Sequence, residues 1–158
     1  MPAMLVENLA CRRGDTLLFS GLSFALDRGR GLQITGRNGS GKTSLLRLLA
    51  GLAEPEAGRI VWNGMDIRAQ RETYARQMAF VGHAPAVNDD LTVSENLVVA
   101  RALSGQGGGL DDAAALARVG LLRYAEEPAR ILSAGQHRRL ALARLLIADA
   151  AGHGLSAA

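Results

Sequence analysis

A chain of 158 residues, 48% of them hydrophobic, holds enough apolar material for one packed domain, or part of a larger one, and excludes a disordered polypeptide. Eighteen Lys and Arg against fifteen Asp and Glu leave a mild net charge of +3, and a 4% aromatic content excludes a base-stacking platform for single-stranded nucleic acid, so no nucleic-acid partner is expected. The single cysteine, Cys11, excludes an internal disulfide and fits a reducing compartment.

Residues 3–35 read as strands: "AMLVENLA", a turn at "RRGD", then "TLLFSGLSFAL" with a break at Ser20-Gly21, and "GLQIT" at 31–35. "KTSLLRLLAGL" has the apolar spacing of a helix with a stop at Gly51. "RIVWNG" reads as a strand ending in a turn at Asn63-Gly64, residues 68–77 as a polar helix, and "MAFVG" at 78–82 as a buried strand. Thr92 with Glu95 forms a capping box that opens a helix to about Leu103, and "LDDAAALARVG" is a helix ended by Gly120. The last helix runs from about Ala134 to Ala148, and its nearly all-round apolar character predicts burial. The N-terminus has no charged region followed by an apolar one, and no apolar run reaches the roughly 18 residues of a membrane span. Any membrane role is therefore expected to need a partner.

The stretch "GRNGSGKTS" carries the chemistry. Gly36, Arg37, Asn38, Gly39, Ser40, Gly41, Lys42 and Thr43 satisfy G-x-x-x-x-G-K-[ST], with Ser44 following, between an expected strand and an expected helix. Backbone N–H groups of such a loop bind phosphate oxygens, and glycines permit the close approach. Lys42 is the only lysine in the chain. A compact, rotatable ammonium can follow β- and γ-phosphates where a planar guanidinium cannot, and Thr43 offers a hydroxyl to Mg²⁺.

A second element is "ILSAGQHRRLALARLL", which places Ser133 at a helix start with Gly135 and Gln136 in the first turn, an anion-binding arrangement. With this pair of motifs the chain resembles an ABC-type ATPase domain over residues 4–150. "LSAGQ" (Leu132, Ser133, Ala134, Gly135, Gln136) resembles its signature motif, with alanine at 134 where glycine is commoner. "FVGHAPAVNDDLTVSENL" resembles its Q-loop, with His83 in the usual glutamine position. Arg13 stands where the family commonly stacks an aromatic on adenine.

The resemblance implies an α/β fold: a P-loop core with an incomplete parallel sheet, an antiparallel β subdomain and an α-helical subdomain at about 84–140. Residues 1–150 would form the ATP-binding domain and 151–158 a tail without family counterpart. It also implies ATP and Mg²⁺ as cofactors and a homodimer in which Ser133 and Gly135 face the nucleotide of the opposite protomer. His83 could report on the γ-phosphate or on a membrane partner, or be a structural loop histidine. Transmembrane exporter subunits are the implied partners, with this subunit peripheral on the cytoplasmic face of the inner membrane.

The "GHxP" form of the loop, with "CRRGDTLLFSGLSF" and "GKTSLLRLLAGLAEPEAGRIVWNG", resembles the branch that serves bacterial haem export in cytochrome c maturation. The family's apolar strand ending in Asp-Glu and its later switch histidine find no match in "LLIADAAGHGLSAA", which includes Asp149, Ala150 and His153. The chain by itself is therefore expected to hydrolyse ATP little or not at all. Two alternatives stay open, an ATP-binding subunit of another ABC exporter and a non-catalytic nucleotide-binding remnant.

Overall fold

A computed structural model describes residues 1–82, 86–104, 109–148 and 154–156, with Ser104 and 154–156 described by backbone alone. They fall into two compact units, Met1–Met78 and Ala79–Ala158.

The first unit is built on an antiparallel sheet. β1 (Met4–Arg13) pairs with β2 (Thr16–Leu26) on one side and β3 (Ala57–Trp62) on the other, and β4 (Met65–Asp66) completes the order β2-β1-β3-β4. Met4 and Val6 are buried while Leu5 and Glu7, alternating with them, are half-exposed, the period of two that a half-buried strand requires. The break expected at Ser20-Gly21 is a bulge inside a continuous strand. Leu9 faces Leu22 and Cys11 faces Phe19, so β2 carries one extra residue. Asn63 (φ 48°) and Gly64 (φ 86°) make the two-residue turn between β3 and β4, both left-handed as such a turn demands.

Helix α1 (Lys42–Leu49) buries Leu45, Leu48 and Leu49. Helix α2 (Arg71–Gln77) buries Tyr74, whose hydroxyl donates to the Leu49 carbonyl and whose titration is pushed up by burial. Its ring meets Trp62 edge-on at 5.8 Å, and Trp62 Nε1 donates to Gln77 Oε1 at 2.7 Å.

Residues 31–35 depart from expectation. They join no ladder, and Leu32 is 43% exposed. A strand is completed by neighbours that take up its N–H and C=O groups, and among the described residues none pairs with this stretch.

In the second unit, α3 (Val93–Ser104), α4 (Asp112–Arg118) and α5 (Ala134–Ile147) close around Val93, Leu97, Leu116, Leu121, Leu140 and Ile147, all within 1% of complete burial. Thr92 and Glu95 make the expected capping box, Thr92 N–H donating to Glu95 Oε2 at 2.7 Å and Glu95 N–H to Thr92 Oγ1 at 3.1 Å. Asp111 caps α4 by accepting from Ala114 N–H at 2.8 Å.

Burial of α5 is confined to its later turns. Ala134, Gly135, Arg138 and Arg139 are exposed, because the cluster closes only from Leu140 onward. β5 (Ala79–Val81) is half-buried rather than buried, and pairs in parallel with β6 (Gly154–Ser156). This strand falls within the stretch 151–158 read as a tail. Its small residues carry no apolar alternation, so the pairing had no local signal. No helix among the described residues is long and apolar enough to cross a membrane.

Candidate nucleotide-binding site

The start of α1 is chemically unlike the starts of α3, α4 and α5. Its N-cap is Gly41, which has no side chain to accept a hydrogen bond, and no acidic residue lies in its first turn. The first N–H groups of a helix have no intrahelical acceptor, and together with the helix dipole they attract an anion. Where α3, α4 and α5 satisfy such groups from within the chain, α1 presents them at the mouth of the glycine loop.

The loop itself is exposed from Gly36 to Ser40 and folds back on its lysine. Lys42 Nζ donates to the carbonyl oxygens of Gly36 at 2.7 Å and Arg37 at 2.8 Å, and Ser40 N–H donates to Arg37 O at 3.2 Å. An ammonium has three protons, so two hold the side chain over the loop and the third can meet a phosphate oxygen. The side chains of Arg37 and Asn38 are exposed, and Ser44 is half-buried at the start of α1. Thr43 is exposed in the first helical turn, where its hydroxyl could hold a Mg²⁺ ion. Such an ion needs few protein ligands. Among the described residues no cluster of His, Cys, Asp and Glu offers an alternative metal site.

Gly41 is fixed by two constraints. Its φ of 93° is left-handed, and a Cβ there would lie 3.2 Å from Leu18 Cβ and 3.2 Å from the Phe19 ring, on β2. Gly41→Val is expected to lower unfolding stability by about 2–4 kcal/mol, from the positive φ of a β-branched residue plus crowding. It should also weaken ATP binding at least tenfold, as read by urea unfolding and calorimetry.

The Ser133 turn is a complete capping box. Ser133 Oγ accepts Gln136 N–H at 3.3 Å, and Ser133 N–H donates to Gln136 Oε1 at 2.7 Å. Accepting does not consume the hydroxyl proton, which stays available to a phosphate oxygen. Ser133, Ala134 and Gly135 are exposed, Gln136 is half-buried, and Leu132 beneath them is buried at 7% exposure. Arg13 lies at the turn end of the β1–β2 hairpin, opposite Thr16, with its side chain exposed. His83, Asp149, Ala150 and His153 lie outside the described residues.

Two residues without a sequence signal organise the neighbourhood of Ser133. Asn96, 5% exposed, is the buried polar side chain of α3. Its Oδ1 accepts Asn88 N–H at 2.8 Å, and its Nδ2 donates to the carbonyls of Asn88 and Thr92, each at 2.9 Å. The segment 86–92 is thereby folded onto α3, and Arg144 of α5 adds a bond to the Ala86 carbonyl, with burial pushing its guanidinium pKa down. The second residue is His137, which reaches from α5 to Asp89 in that same segment.

Comparison with known proteins gives findings of three kinds. The profile of the family described as ABC transporter matches residues 19–151. The cytochrome c biogenesis ATP-binding export protein CcmA of Nitrosococcus oceani is 52% identical over 146 residues, 92% of this chain and 67% of that protein. Its namesake from Aromatoleum aromaticum is 51% identical over 149 residues, 92% of this chain and 69% of that protein. Among solved structures, cbiO1 of Clostridium perfringens, part of the ABC transporter complex cbiONQ, superposes with a TM-score of 0.77 at 25% identity. That match covers 94% of this chain and 62% of the other.

Proposed function

The chain belongs to the ABC transporter family, and from that premise we propose that it is the ATP-binding subunit of an export system, the haem exporter of cytochrome c biogenesis. The observation that carries the reading is the lysine-centred glycine loop at the uncapped start of α1. Lys42 and the N–H groups of residues 39–44 hold the β- and γ-phosphates, and Thr43 takes the Mg²⁺ ion. Bound ATP supplies the γ-phosphate on which a second protomer's Ser133 and Gly135 close, making a homodimer. Coupling to the membrane runs through transmembrane partners at the cytoplasmic face of the inner membrane, with His83 in the loop that senses them. Arg13 stacks its planar guanidinium on the base, more loosely than an aromatic ring would. The export cargo is inferred from the names of the relatives, together with the GHxP loop.

As an isolated polypeptide the chain is expected to bind ATP with little turnover. None of its residues pairs an aspartate with a following glutamate to position water, and a missing general base lowers the rate by about 10²–10⁴. Calorimetry with ATP and Mg²⁺, followed by phosphate release on the same sample, checks this: heat of binding without sustained release is expected. Release above background that disappears on adding EDTA would overturn the low-turnover expectation. Absence of any binding heat would instead remove the nucleotide-binding reading itself. A non-catalytic nucleotide-binding protein fits the same outcome on the isolated chain. Co-purification with transmembrane export subunits separates the two.

A further inference from the structure

In the first turn of α5 the ring of His137, its side chain 18% exposed, lies between two acceptors. Nδ1 is 3.2 Å from the Ser133 carbonyl oxygen and Nε2 is 2.8 Å from Asp89 Oδ1. A carbonyl and a carboxylate only accept, and a neutral imidazole carries a single N–H. Both contacts are satisfied at once only by the imidazolium. Asp89 is itself held, since its carbonyl accepts Arg130 N–H at 3.2 Å.

We propose that His137 is a positioning residue for the Ser133–Gln136 turn: charged, it clasps that turn to Asp89 in the 86–92 segment, and on losing its proton it releases one of the two ends. The clasp stands on its geometry. Its consequence for nucleotide contact rests on the reading of Ser133 given above.

The surrounding charges favour the closed form. From the 86–92 segment come Asp89 and Asp90, the latter 3.9 Å from the Arg130 guanidinium. On α3, Glu95 is engaged in its capping box. On α5, Arg139 is drawn to the Val119 carbonyl and Arg144 to Ala86. The hydrogen bond to Asp89 raises the imidazole above its ordinary 6.5, with partial burial opposing. A raised folded-state value gives stability that is fully present below the unfolded value and is lost as pH rises through the folded one. The turn is therefore held in mildly acidic solution and loosened toward alkaline pH.

The test is an NMR titration of the full chain, following the His137 ring and the backbone amides of Ser133, Gly135 and Gln136. The ring is expected to titrate above 6.5, and the amides are expected to move with the same midpoint. Asp89→Asn should lower that midpoint, and His137→Arg, which stays charged, should make the three amides independent of pH. An unshifted ring, an Asp89→Asn titration identical to the wild type, or amides that ignore the His137 midpoint would each overturn the proposal. Adding ATP to the same samples keeps the two readings apart, because failure to bind counts against the phosphate loop and leaves these titrations unchanged. Asp89→Asn sits on an exposed turn, so the test survives if His137→Arg fails to fold.

Discussion

Lys42→Ala is expected to weaken ATP binding by about 10–100-fold, the loss of one to two charge-assisted hydrogen bonds worth roughly 1.5–3 kcal/mol. Lys42 is half-buried and is not one of the buried core residues. Its two partners, the carbonyls of Gly36 and Arg37, belong to exposed residues and return to water when the ammonium is removed. Stability should therefore change by about 0.5 kcal/mol or less. A large loss of affinity with an unchanged urea midpoint separates a binding residue from a structural one. Lys42→Arg sharpens the test, because the charge is kept while the compact ammonium is replaced by a planar fork that cannot bond both carbonyls and a phosphate oxygen together. It too should lose about tenfold or more, on the scale of one charge-assisted hydrogen bond. Calorimetry giving wild-type affinity for Lys42→Ala would remove the loop from the nucleotide site.

Asn96→Leu has the opposite profile. Leucine matches the volume but leaves Asn88 N–H without its acceptor, while the carbonyls of Asn88 and Thr92 lose a side-chain donor and keep the backbone donors Leu91 N–H at 3.3 Å and Asn96 N–H at 3.0 Å. One amide N–H so orphaned, with two carbonyls each losing a second donor, makes a loss of roughly 1–3 kcal/mol the expected result in urea unfolding. The segment 86–92 should detach from α3 in amide shifts, while ATP affinity of the phosphate loop holds. Asn96→Asp should be at least as costly at neutral pH. It keeps an acceptor for Asn88 N–H but turns a carboxylate toward two carbonyls. A change below about 0.5 kcal/mol in either variant would show that the segment is anchored elsewhere.

What could be read from the sequence was local. Lys42 meets carbonyls six and five positions before it, and both capping boxes, Thr92 with Glu95 and Ser133 with Gln136, close over three residues. The turn at Asn63-Gly64 is likewise set by its own two residues. What could not be read depends on partners distant in the chain. The apolar run at 31–35 has strand composition and no ladder, because pairing is a property of neighbours and not of the segment. The strand 154–156 has no such composition and pairs with β5, some 75 positions earlier. Nothing local marks His137 in the sequence, because its contact is with Asp89, 48 positions before it.

The rarity of lysine in this chain has a chemical consequence. Every other side-chain cation, histidines apart, is a guanidinium, so Nζ of Lys42 is the sole side-chain primary amine in the molecule. Acylation, imine formation with an aldehyde and enzymatic acetylation all seek such an amine. Apart from the chain's own amino terminus they find it in one place, pinned to the carbonyls of Gly36 and Arg37 at the mouth of the phosphate loop. A reagent that modifies this side-chain amine is expected to block the proposed phosphate loop, and a phosphate seated in the loop is expected to shield it.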